Sequence, residues 1–230
     1  MADDGVIILT GAASGIGRAS AEALAKKSRT LALVDVNTDA LNQVVQKCRK
    51  NSPHTAGFPC DVTDGAAVIR TSEQIHKAFG RVAVLVNCAG IGWHAPFLEI
   101  EPEGWMQIFN VNVMGTIHFI RAVLPGMIAA GGGTIINVGS RRGIEPKAKT
   151  TAYAASKAAI LGMSKALALE VSEYGVKVTY LAPGGTKTNL ATPKDERFLE
   201  PAAVANAVVF IVENGGNVWV RDMVILPLGL

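Results

Sequence analysis

The chain has 230 residues, 49% of them hydrophobic and 18% charged, with a net charge of +3. That composition excludes a disordered polar chain, and the absence of a basic block gives no footprint for nucleic acid or an anionic membrane surface. No apolar run approaches the ~18 residues of a membrane helix, and "MADDG" lacks a signal-peptide core, so a cytoplasmic protein is expected.

In chain order, "VIIL" (6–9) reads as a strand and 15–27 as a helix. "LALV" (31–34) is a strand, followed by a helix over 38–50. "TAGFPC" (55–60) is a weaker strand, then a helix spans 64–79 and "VAVLV" (82–86) is a strand. One long helical pattern covers 102–130, with a strand at "GTIINV" (133–138) and a helix over 151–173. "VKVTYL" (176–181) is a strand, 201–212 a helix and "MVIL" (223–226) the last strand. Continuous apolar strands separated by helices specify a buried parallel sheet. Their alternation specifies an α/β doubly wound fold with right-handed crossovers. No linker or repeat interrupts it, so residues 1–230 are expected to form a single domain. Cys48, Cys60 and Cys88 are odd in number and lack a CxxC pair, which suits free thiols in a reducing compartment. No His/Cys/Asp cluster has metal-ligand spacing, and no metal is expected.

"TGAASGIG" (10–17) joins the first strand to the first helix, at the carboxyl end of the sheet, where nucleotides bind in open α/β folds. Gly11, Gly15 and Gly17 permit a tight turn and close approach of a pyrophosphate to the helix N-terminus. The same spacing also fits a plain tight strand–helix connection. Asp35 ends the second strand, where an acid can accept hydrogen bonds from both ribose hydroxyls of an adenosine and repel a 2′-phosphate. A solvated carboxylate is the alternative there. Asp61 and Asn87 end the next two strands, so three polar residues are expected along one rim.

With "CDV", "NCAG", "FNVNVMG", "INVGS", "YAASK" and "LAPGGTKT" added in order, the sequence resembles the short-chain dehydrogenase/reductase family over nearly its whole length. The resemblance implies a Rossmann fold of strand order 3-2-1-4-5-6-7 with helices on both faces. It also implies a nicotinamide cofactor and interconversion of an alcohol and a carbonyl. Gly11, Ser14, Gly15, Ile16 and Gly17 correspond to the pyrophosphate loop, and Asp35 to the NAD-selecting acid. Ser14 and Val36 stand where NADP-preferring members usually carry a basic residue. Asp61 and Val62 correspond to adenine contacts, and Asn87, Ala89 and Gly90 to the segment beside the ribose. Pro183, Gly184, Thr186 and Thr188 correspond to the nicotinamide-side loop. Ser140, Tyr153 and Lys157 match the family's catalytic residues, with Asn112 as the fourth member.

Tyr153 and Lys157, four apart, share a helix face. A phenol with an ordinary pKa of ~10 gains anionic character beside an ammonium. Tyr153 is therefore expected to exchange the substrate's proton. Lys157 is expected to hold the ribose, Ser140 the substrate oxygen and Asn112 a relaying water. A non-catalytic NAD-binding sensor or scaffold on the same fold is the alternative.

The departures are Cys88 and Thr179, each where asparagine is common, and Gly139 where serine is frequent. The segment 189–199 is shorter than the family's usual substrate loop, and "VRDMVILPLGL" lacks the usual glycine-rich ending. His94 reads as an ordinary loop histidine. Arg141 and Arg142 either pair with an anionic substrate or bind an acid such as Glu145. The apolar surfaces of the helices over 102–130 and 151–173 point to a homodimer or homotetramer.

Overall fold

In the computed structural model, which describes residues 5–190, 195–214 and 218–228, seven parallel strands form one sheet in the order β3-β2-β1-β4-β5-β6-β7. The strands are β1 Val6–Thr10, β2 Leu31–Asp35, β3 Thr55–Pro59, β4 Val82–Asn87, β5 Gly133–Val138, β6 Val176–Pro183 and β7 Asp222–Ile225. The acidic start, residues 1–4, the loop residues 191–194 and the last two residues of "VRDMVILPLGL" lie outside the described residues.

Both faces of the sheet are covered because both phases of each central strand are apolar. Ile7 and Leu9 pack with α1 (Gly15–Ala25), α2 (Thr38–Arg49) and α7 (Pro201–Glu213). Val6 and Ile8, pointing the other way, pack with α3 (Gly65–Phe79), α5 (Gly115–Ala129) and α6 (Thr151–Val171). Side chains alternate along a strand, so two cores follow from one unbroken apolar run.

Local signals start and stop the helices. Asn37 caps α2 by accepting from the Ala40 N–H at 3.1 Å, and Asp64 caps α3 by accepting from Ala66 and Ala67. The long pattern over 102–130 is three pieces: α4 Pro102–Phe109, a π-helical turn Asn110–Met114, and α5. Taken together, Pro102–Ala129 is long and apolar enough to cross a membrane by length and composition, which the run-by-run reading of the sequence missed. Phe119, Ile120, Val123 and Met127 turn one of its faces into the core.

The ends of the short loop are fastened together. Thr186 and Leu199 form a bridge, and the Lys187 N–H donates to the Leu199 carbonyl at 2.9 Å.

Candidate functional site

A cavity of about 800 Å³ opens at the carboxyl ends of β1 to β4, a size typical of cofactor sites. Gly11, Ser14–Gly17, Asp35, Asp61 and Val62 form one side of it. Ala89 and Gly90 form its floor, and Thr188–Leu190 and α4 close the other side.

The glycines are required first by the chain itself. Gly11 has φ +64°, and a Cβ there would lie 2.7 Å from the Ala89 nitrogen. A Cβ on Gly17 would overlap the Gly11 carbonyl oxygen. At these two positions the tight-connection reading holds, whatever also binds. The turn brings the start of α1 to the cavity, and Ser14 makes no side-chain cap bond there. The first-turn amides, which have no intrahelical partner, therefore face space that suits a pyrophosphate.

Asp35 lies on the wall. Its two oxygens accept from the Ala13 and Asn37 N–H groups, each at 2.9 Å. A carboxylate has about four lone-pair sites, so acceptor capacity remains for hydroxyls. Asp61 accepts from the Thr63 N–H and hydroxyl.

Asn87 is not on this rim. It is buried, donates to Asn137 Oδ1 at 2.9 Å, and Asn137 donates onward to Ser164. Its position opposite Asn137 in the β4–β5 ladder turns the amide into the sheet rather than the cavity. Pro183 and Gly184 stand at the end of β6, where the Gly184 N–H donates to the Ile225 carbonyl and the Thr186 hydroxyl to the Gly184 carbonyl. Thr188 lines the cavity, against Gly15.

Beside the cavity, behind Gly90, stand the residues expected to be catalytic. A Cβ on Gly90 would lie 3.1 Å from Asn112 Oδ1 and 3.6 Å from Lys157 Nζ. Ser140 follows β5 and caps the short helical turn Arg141–Gly143, accepting from the Arg142 N–H at 3.1 Å. Tyr153 lies on α6. Burial pushes its phenol up, while a hydrogen bond from the Ser140 side and the Arg142 charge pull it down. Lys157 Nζ donates to the Val138 carbonyl at 2.9 Å and sits 5.8 Å from the Tyr153 ring centre. Burial brings Lys157 down to about 8. At both groups desolvation is the largest influence, acting against the phenolate and the ammonium alike.

Asn112 is the fourth of these residues. Its Oδ1 accepts from the Ile91 N–H at 2.8 Å, and its Nδ2 donates to the Ile91 carbonyl and to Ser156 Oγ. The side chain clamps the segment after β4, using both its donors and one of the two acceptor sites of Oδ1.

Two further residues stand beside the site: Tyr180, which the sequence reading does not single out, and His94, which it reads as an ordinary loop histidine. The Tyr180 hydroxyl donates to the Ser140 carbonyl at 2.9 Å and accepts from the Ser140 N–H at 3.2 Å. A side chain on Gly139 would overlap the Tyr180 ring, and a Cβ on Gly143 would lie 2.6 Å from its hydroxyl. Glycine in place of the frequent serine at 139 was the trace it left. His94 stacks beside Tyr153, ring centres 6.3 Å apart, and burial followed by the charges of Arg142 and Lys147 holds its pKa down. Arg141 is paired with Glu145 at 2.8 Å. Cys88 faces the cavity, with burial pushing its thiol up to about 12.

The sequence pattern described as short chain dehydrogenase matches residues 5–198. D-threitol dehydrogenase of Mycolicibacterium smegmatis is 34% identical, covering 92% of this chain and 87% of its own length. The 2,3-dihydro-2,3-dihydroxybenzoate dehydrogenase of Bacillus subtilis is 31% identical over 95% and 93%. Among solved structures, the 3-ketoacyl-(acyl-carrier-protein) reductase of Brucella melitensis complexed with NADH superposes with a TM-score of 0.91, at 26% identity and 98% coverage of both chains. With this sequence match, this strand order and this cavity, the chain belongs to the short-chain dehydrogenase/reductase family, enzymes that work with a nicotinamide dinucleotide.

Proposed function

We propose that this enzyme interconverts a secondary alcohol and a carbonyl with NAD(H), using Tyr153 as the acid–base group. The observation that carries the reading is the meeting of Tyr153, Ser140 and Lys157, from α6 and the end of β5, beside a dinucleotide-sized cavity. The bound nicotinamide would accept or supply the hydride. Tyr153 exchanges the proton at the substrate oxygen, a contribution of about 10²–10⁴-fold. Burial raises its phenol above the ordinary value, which favours the protonated form that carbonyl reduction needs. Ser140 holds the same oxygen as charge develops, and Lys157 carries the ribose side. Gly11, Ser14–Gly17 and Thr188 hold the pyrophosphate region, Asp35 the adenosine ribose, and Asp61 and Val62 the adenine. Ala89 and Gly90 support the middle of the cofactor.

NAD(H) is favoured over NADP(H) because Asp35 would oppose a 2′-phosphate, and Ser14 and Val36 offer it no cation. The Brucella structure holds NADH, and the threitol and dihydrodiol relatives are named for substrates with secondary hydroxyls. The three free thiols suit the cytoplasm.

The test is a nicotinamide absorbance assay across ketones and secondary alcohols with both cofactors. We expect turnover with a higher kcat/KM for NADH than for NADPH. Equal values or an NADPH preference overturn the cofactor assignment, and NADH binding with no turnover overturns the catalytic one.

A further inference from the structure

Outside the cofactor cavity, the surroundings of Tyr153 are uneven in charge. Gly92, Leu190 and His94 form its uncharged side. A Cβ on Gly92 would lie 3.7 Å from the Tyr153 ring and 3.8 Å from Leu190 Cδ2, and the His94 ring is tilted against the phenol. The charged side comes from the turn that Ser140 caps. Arg141 leaves that turn toward Glu145 and is neutralised by it, with both its Nε and its terminal nitrogen 2.8 Å from Glu145 Oε2. Arg142, the next residue, reaches the Glu145 backbone and not its carboxylate. It is half-buried, its backbone N–H is bonded to Ser140 Oγ, and its guanidinium makes one bond, to the Glu145 carbonyl at 3.2 Å. Among the described residues no carboxylate pairs with Arg142 or with the nearby exposed Lys147. The Arg142 charge acts on both Tyr153 and His94, and the Lys147 charge also acts on His94. His94 itself is held toward its neutral form, so it contributes a hydrogen-bonding ring and not a third cation.

A guanidinium has five donors in a planar fork. One bond to a carbonyl leaves most of that fork open, and a half-buried cation without an acid partner gains most from an anion brought to it. We propose that Arg142 is a specificity-determining residue and that the enzyme's substrates are alcohols or carbonyl compounds carrying a carboxylate, which the Arg142 fork receives while the reacting oxygen meets Tyr153 and Ser140. Lys147 adds attraction at the mouth. The assignment rests on the reading of Tyr153 as the reacting group. It also separates two adjacent arginines that the sequence leaves equivalent: the Arg141 charge is already matched.

The experiment compares kcat/KM for 2- and 3-hydroxycarboxylates with that for their neutral methyl esters. It uses the wild type and the Arg142→Gln, Arg142→Lys and Arg141→Gln variants. The wild type is expected to favour the acids by about tenfold or more, the range of a charge-assisted pair. Arg142→Gln should bring the acid-to-ester ratio close to one, Arg142→Lys should restore part of it, and Arg141→Gln should keep it. A second readout does not depend on turnover: calorimetric titration of benzoate and of neutral benzamide into the NADH-loaded protein. Benzoate should bind more tightly than benzamide in the wild type, and the difference should vanish in Arg142→Gln. An acid-to-ester ratio near one in the wild type, or a preference that survives Arg142→Gln, overturns the assignment. If no acid or ester is turned over while other ketones or secondary alcohols are, the carboxylate assignment fails and the reaction proposed above stands; if none of them is turned over, the reaction fails. The benzoate titration then still decides whether Arg142 is an anion site.

Discussion

Tyr180 grips Ser140 from both backbone sides, with its ring in the space that Gly139 and Gly143 leave. Tyr180→Phe keeps the ring and removes the grip. It leaves the buried Ser140 N–H without its partner, while the Ser140 carbonyl keeps the Gly143 N–H, a cost of about 1–3 kcal/mol. We expect lower thermal stability and a reduced kcat with little change in NADH affinity, because Tyr180 is not on the cavity wall. Calorimetric NADH titration beside steady-state kinetics checks this, and an unchanged kcat would show that Ser140 needs no such support. Tyr153→Phe should lower turnover by about 10²–10⁴-fold and leave the NADH dissociation constant within a few fold. Retention of most activity would point to another acid–base group. Lys157 yields a pH prediction. Its ammonium is buried, and its pKa in the folded chain falls from 10.5 to about 8. Between those values the unfolded chain binds more protons at this site, so stability must rise with pH. Below pH 8 both forms are charged, and the burial penalty is full and constant. Relative to Lys157→Met, the cofactor-free wild type should gain stability on the order of 2 kcal/mol between pH 8 and 10. Denaturant melts across that window measure it, and parallel curves would refute it.

At the scale of elements, the β1–α1 turn is the most constrained. A side chain at Gly11 would need both a left-handed backbone and room that the Ala89 backbone occupies. Gly11→Ala should cost on the order of 1–3 kcal/mol, seen as a lower Tm, and should weaken NADH binding by moving the end of β4. An unchanged Tm would mean the turn relaxes freely. The π-helical turn Asn110–Met114 is a second special element. It was invisible to the helical period, which runs through 102–130 without a break, because apolar spacing does not report a single widened turn. The turn lies where Asn112 faces Ile91 and clamps the segment after β4. The bridge between Thr186 and Leu199 draws the ends of the short loop together and leaves Thr188 to Leu190 facing the cavity. Its brevity was legible in the sequence, but this closure was not.

For the whole molecule, the sheet buries both faces, yet the outer surfaces of several elements stay apolar. Leu98, Met106, Met114, Leu169 and Phe210 are all exposed, and Ala158, Gly162 and Ala166 give α6 a small-residue outer face. Such faces suit close helix packing. We expect a homodimer or homotetramer in solution. Light scattering at micromolar concentration should give a multiple of the single-chain mass, and a single-chain mass would refute the assembly.

By itself the sequence determined the order of strands and helices, the side of the sheet that carries the site, and the motifs that supply Ser140, Tyr153 and Lys157. These are encoded within a few consecutive residues, as a period of two or of 3.6, a glycine spacing, or an i,i+4 pair. Only the tertiary structure decided that Asn87 turns into the sheet, that Tyr180 holds Ser140 and that His94 lies beside Tyr153. It also decided that Arg141 is neutralised while Arg142 is not. The first three are contacts between residues far apart in the chain. The last turns on which group of Glu145 each side chain meets: Arg141 takes the carboxylate, Arg142 only the backbone carbonyl. The pKa directions at Tyr153 and Lys157 belong to the same class, since burial, which the whole fold creates, outweighs the pairwise attraction that their spacing promised.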